Sequence, residues 1–171
     1  QECVINNIQP IIGTSINFLD VQNRNKISQI TFLAKNITGY KNILNLSSIS
    51  HLNNSKDIGI NINQICENAE GLYCYIGGEY NPLLILNKEN KKNEIIKLIE
   101  ELRNIFKDNF LFEIQRINDT EIDSFEKQFI NYAKIYDIPL IGSNNIKYAN
   151  KADFSAHDAL LCIAQKSTIN N

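Results

Sequence analysis

Three blocks between Asn109 and Ile163 decide how this chain reads: Phe110-Leu-Phe-Glu-Ile-Gln-Arg116, Ile138-Pro-Leu-Ile-Gly-Ser-Asn-Asn-Ile-Lys-Tyr148 and Ala156-His-Asp-Ala-Leu-Leu-Cys-Ile163. With the residues between them they read as strand, helix, strand, helix. The second strand ends in the polar run Ser143 to Lys147. In an α/β fold that is where reactive side chains gather, because such folds place them at the carboxyl ends of strands.

Working outward, Thr120 is a candidate N-cap for a helix with the stripe Ile122, Phe125, Phe129, Tyr132, Ala133 and Tyr136. Asp119, Glu121 and Asp123 fit the acidic start of that helix better than a paired-carboxylate site. Upstream, Ile95, Leu98, Ile99, Leu102, Ile105 and Phe106 form one apolar stripe, with Glu94, Lys97, Glu100 and Arg103 facing water. Leu72 to Ile76 reads as a short buried strand stopped by Gly77-Gly78. Asn61 to Ala69 is a short helix, Asn53 to Asp57 a loop, and Thr38 to about Leu52 a longer helix.

Nearer the start, Ile27 to Leu33 is a strand rich in Ile and Thr. Asp20 to Lys26 is polar and turn-like. Ile8 to Leu19 reads as extended chain interrupted at Gly13. Asp153 to Gln165 makes the closing helix. Strands alternating with amphipathic helices predict parallel βα units rather than a sandwich.

The chain has 171 residues, 43% of them hydrophobic, and a net charge of −2. That describes one globular domain with enough length for a core. It lacks the basic excess of a nucleic-acid-binding module. Lys91-Lys92 reads as a solvated helix face. Abundant Ile, Asn and Lys suggest A- and T-rich codon usage, and the scattered Asn residues form no low-complexity tract.

No apolar run approaches the roughly 20 residues of a membrane span, and the opening residues do not resemble a signal peptide. Met is absent and Gln1 comes first, so the chain is expected to be an internal piece of something longer. Cys3, Cys66, Cys74 and Cys162 include no Cys-x-x-Cys pair. Cys74 and Cys162 lie in apolar runs, which predicts reduced, buried thiols and a cytoplasmic protein. There is no Gly-x-Ser-x-Gly and no Walker-type phosphate loop. His51 and His157 stand beside no plausible nucleophile, which argues against covalent catalysis.

In order and spacing the three opening blocks resemble the polymerase-and-histidinol-phosphatase (PHP) domain of bacterial replicative DNA polymerase III alpha subunits. Ile8-Gln-Pro-Ile-Ile-Gly13 is similar to that family's Ile-Lys-Pro-Ile-Ile-Gly, and Leu33 to Asn42 to its segment ending Gly-Tyr-X-Asn. The resemblance implies a distorted α/β barrel of PHP type. Here it would be incomplete: residues 1–171 would form a partial domain without its N-terminal βα units, and no second domain is visible.

Intact members gather a metal cluster at strand ends, and such a cluster can activate water and clamp a phosphoester. The resemblance implies four departures. Ser15 stands where the family often has Glu, and Gly78 where it often has Cys. Asn145 and Lys147 replace Asp and His in the run Thr-Asn-Asp-X-His-Tyr. Asn carries no charge to offset a divalent ion, and a protonated Lys cannot coordinate one. His51 is a weak candidate ligand at a helix end, and His157 reads as a packed histidine on the apolar stripe with Phe154, Leu161 and Ala164.

These departures imply a metal-free structural and docking module with no catalytic residue of its own. Lys147 would pair with an acid near the barrel mouth in place of a cation. By resemblance, the partners would be the rest of the polymerase alpha subunit and the proofreading exonuclease subunit, with DNA reached through the parent protein and no membrane contact. The parent would need magnesium for DNA synthesis, while this fragment would need no cofactor. The alternative is a working metal-dependent phosphoesterase or 3′–5′ exonuclease.

Overall fold

A computed structural model describes residues 1–23, 26–52, 58–116 and 120–169. Among these, five strands form one sheet in the order β1-β2-β3-β4-β5, accompanied by seven α-helices. The strands are β1 (Gly13–Asn23), β2 (Lys26–Ala34), β3 (Leu72–Gly77), β4 (Phe110–Gln115) and β5 (Leu140–Ser143). The helices are α1 (Glu2–Ile5), α2 (Ile37–Leu52), α3 (Ile62–Glu67), α4 (Pro82–Lys88), α5 (Lys92–Phe106), α6 (Thr120–Ile135) and α7 (Phe154–Gln165). Short 3-10 turns at Lys107–Asn109 and Lys151–Asp153 precede β4 and α7.

The expected run of parallel βα units holds only from β3 onward. β3, β4 and β5 pair in parallel, whereas β1 pairs antiparallel with β2 and β2 antiparallel with β3. No helix separates β1 from β2, and a connection that short can join strands only as a hairpin. The turn-like segment Asp20 to Lys26 carried this information. Most of it is strand, however, because β1 runs to Asn23 with a register shift between Phe18 and Gln22. Residues 8–12 precede the strand rather than forming part of it.

Side chains alternate across each strand, so one face of the sheet can be apolar. Ile16 and Phe18, Ile30 and Phe32, Leu72, Cys74 and Ile76, and Phe110 and Phe112 form the buried face. Ile43 and Leu46 of α2, Leu83 to Leu86 of α4, Ile95, Leu98, Ile99, Leu102 and Phe106 of α5, and Phe125, Phe129 and Ala133 of α6 complete one core with them. Phe112 stacks on Phe129 with ring centroids 4.2 Å apart and planes 5° from parallel. Such a pair contributes about 0.5–1.5 kcal/mol beyond its buried area.

The stripes expected for α5 and α6 are therefore buried largely as read, with Ile105, Ile122, Tyr132 and Tyr136 packed at the core's margin. Thr120 lies within α6 rather than capping it. The loop expected at Asn53 to Asp57 lies outside the described residues.

Helix α4 had no counterpart in the sequence reading. Its signals were Asn81, whose side chain accepts from the Leu83 amide at 3.0 Å, and Pro82 in the first turn. Both are start signals of a helix. Helix α7 differs from α2, α4 and α5 in having no buried residue. Accordingly Cys162 is only partly buried, while Cys74 is fully so, and burial raises the Cys74 thiol pKa well above its usual range. All four cysteines are free thiols.

Candidate functional site

The face of the sheet away from the core carries Ser15, Thr31, Tyr75, Gly77 and Glu113, and it opens into a cavity of about 200 Å³. Its lining comes from every part of the sheet. β1 supplies Ser15, β2 Gln29 and Thr31, and the end of β3 Gly77 and Gly78 with Glu79 and Tyr80 beyond them. β4 supplies Glu113 and Gln115, and the segment after β5 supplies Asn145 and Lys147. The four positions singled out from the sequence, Ser15, Gly78, Asn145 and Lys147, thus meet at one place.

Ser15 reaches the cavity from the beginning of β1 and not from a carboxyl end, as its place in the chain had suggested. Register explains this: Ser15 pairs with Thr31, which pairs with Tyr75. The Ser15 and Thr31 hydroxyls are 2.8 Å apart. Burial, and after it the Glu113 charge, raise the Tyr75 phenol pKa above its ordinary range, while a hydrogen bond with Thr31 works the other way. Gln29 donates to the Asn17 side chain at 3.1 Å, and its backbone amide donates to the Tyr80 carbonyl at 2.9 Å, holding the turn after β3 against β2.

Glu113 is the buried acid of the cavity, 9% exposed. Its carboxylate accepts the Ser143 hydroxyl, and Ser143 in turn accepts from the Gln115 amide at 3.4 Å. Gly78 has φ +61, and a Cβ there would stand 2.6 Å from the Gln115 Oε1. The space that a side chain at position 78 would enter is therefore taken up by Gln115.

Asn145 and Lys147 line the cavity from an exposed segment. Among the described residues Lys147 has no ion-pair partner, so the pairing expected with a nearby acid is not seen there. His51 lies exposed in the last turn of α2 and does not line the cavity. His157 is partly buried, its ring 5.6 Å from that of Tyr148. Among the described residues no three His, Cys, Asp or Glu side chains are grouped as a metal would require. Glu113, Gln29 and Thr31 were not singled out from the sequence. The signal for Glu113 was present, because an acid inside the apolar run Phe110 to Ile114 must project to the face opposite Phe110 and Phe112.

Among the described residues, the chemistry available at this site is hydrogen bonding by hydroxyls and amides around one buried and one exposed carboxylate, with a single ammonium at the rim. No helix of the described residues is long and apolar enough to cross a membrane.

A model of the PHP domain family matches residues 1–117. The chain is 36% identical over 163 residues to the DNA polymerase III subunit alpha of Rickettsia bellii, an alignment covering 92% of this chain and 13% of that protein. It is 30% identical over 164 residues to the subunit of the same name from Caulobacter vibrioides, with 92% and 14% covered. For the subunit from Borreliella burgdorferi the identity is 34% over 179 residues, with 95% and 15% covered. The chain therefore spans 13–15% of the length of these relatives.

Proposed function

Since this chain belongs to the PHP domain family, we propose that it serves as the PHP part of a bacterial replicative DNA polymerase alpha polypeptide and works there as a metal-free structural and docking module. The observation that carries the metal-free reading is the composition of the cavity. The residues at Ser15, Gly78, Asn145 and Lys147 converge there and offer a hydroxyl, no side chain, a neutral amide and an ammonium. Clustered divalent metals need several anionic or imidazole donors at once. Glu113 already accepts a hydrogen bond from Ser143, Glu79 is exposed, and Gln115 fills the space beside Gly78.

The docking role rests on the open face of the sheet. Parallel strands are ordinarily covered on both faces, yet Tyr73 is 38% exposed on the face away from the helices. We read this as the inner wall of a distorted barrel whose remaining βα units belong to the longer polypeptide. The partners are then the rest of that polypeptide and, by family, a proofreading exonuclease subunit. DNA would be reached only through the whole cytoplasmic polymerase, with magnesium serving its synthesis site.

Elemental analysis of the full-length polypeptide tests the metal-free reading. Stoichiometric zinc or manganese is expected to be absent, and exhaustive chelation followed by magnesium restoration is expected to leave polymerase activity unchanged. Stoichiometric zinc or manganese, together with a phosphoesterase activity that chelators abolish, would replace this reading with that of a working PHP enzyme.

A further inference from the structure

Helix α7 is not held by the core that holds α2, α4, α5 and α6, since none of its residues is buried. Among the described residues its aromatic contacts run through one residue outside it. The Tyr148 ring meets Phe154 edge-on at 6.1 Å and lies 5.6 Å from the His157 ring. Tyr148 stands at the end of the exposed segment that starts after Ser143, the same segment that carries Asn145 and Lys147 to the cavity.

Ser143 is the last residue of β5, a four-residue strand with no buried residue. Beyond the backbone pairing with β4, the end of this strand is tied by its side chain. Ser143 donates to the buried Glu113 carboxylate and accepts from Gln115. Hydrogen bonds to a carboxylate are stronger than neutral ones, and removing the donor leaves a mostly buried acid poorly satisfied.

We propose that the Ser143–Glu113 clip is a positioning device. It sets the course of residues 144–148 and, through Tyr148, the placement of α7, so that the cavity and the closing helix are mechanically linked. Residues 144–148 are the only covalent path from the clip to Tyr148, and Tyr148 gives α7 its ring contacts. The device does not depend on whether the cavity binds metal.

Hydrogen exchange on the full-length polypeptide tests it. Ser143→Ala is expected to speed exchange of the Phe154–Gln165 amides about tenfold, while the Lys92–Phe106 amides of α5 keep their rates. S143T, which retains the hydroxyl, should match the wild type. Tyr148→Leu should reproduce the α7 effect with the clip intact. Unchanged α7 exchange in S143A, or equal acceleration of α5 and α7, would overturn the proposal. Should S143A fail to fold, Y148L decides: unaltered α7 exchange there overturns it as well.

Discussion

At Gly77 a Cβ would stand 2.2 Å from the Glu113 carbonyl oxygen and 2.5 Å from the Glu113 Cβ. The residue pairs with Glu113 across β3 and β4, so the absent side chain lets the two strands meet where the buried acid projects. Gly77→Ala is therefore expected to destabilise the protein by roughly 1–3 kcal/mol, the usual cost of forcing atoms into packed space. Denaturant unfolding measures it, and an unchanged midpoint would mean that β4 yields without strain. Gly78 differs in kind: its φ of +61 and the facing Gln115 make it a site where side chain and backbone would both object. Lys147 had been expected to act as a fixed cation paired with an acid near the barrel mouth. An exposed ammonium without an ion-pair partner among the described residues gives little reason for a stabilising role.

Between elements, the end of β4 is tied to α6 by Arg116, which donates to both Glu126 carboxylate oxygens at 3.1 and 2.9 Å. These hydrogen bonds are the main cause that lowers the Glu126 pKa; desolvation opposes them, and the charge of Arg116 adds to them. The folded value then lies below the unfolded one, near 4.3. The pair contributes stability above that pH, and the contribution is lost as pH falls through the folded value. Arg116→Ala should thus lower the melting temperature slightly at neutral pH and not at about pH 2, and high salt should shrink the difference. Thermal melts at the two pH values check this. A difference that persists in acid would show that Arg116 acts through packing of its aliphatic stem. The Phe112–Phe129 stack joins the same two elements with no titrating group, and pH should leave it untouched.

At the scale of the whole molecule, large apolar side chains of the described residues remain uncovered at several places. Among them are Ile11 near the start, 76% exposed, and Ile163 on α7, 75% exposed with Leu160 one turn before it. Adjacent exposed side chains of this kind favour association, and the sheet ends in two edge strands, β5 and β1, the latter bridged on its outer side between Phe18 and Ile60. The 171-residue chain expressed alone is accordingly expected to self-associate and to unfold without a sharp cooperative transition. A monomeric elution profile with a cooperative melt would contradict this.

The 3.6-residue stripes of α5 and α6 and the apolar runs of β3 and β4 could be read directly, because burial of one face leaves a period in the sequence that needs no knowledge of the partner. The short motifs shared with PHP domains were legible for a different reason: they are local strings. The hairpin of β1 and β2 was half legible, its turn residues visible but its pairing partner not. Helix α4 was missed because, with Pro82, Leu83, Leu84, Ile85 and Leu86 all buried, it has no polar face to create a period. That Ser15, Gly78, Asn145 and Lys147 share one cavity depended on strand register, which sequence alone leaves open and backbone pairing decides. Glu113 became the centre of that cavity for the same reason. A side chain's face follows from alternation along its own strand, but its neighbours are set only when β3, β4 and β5 lie side by side.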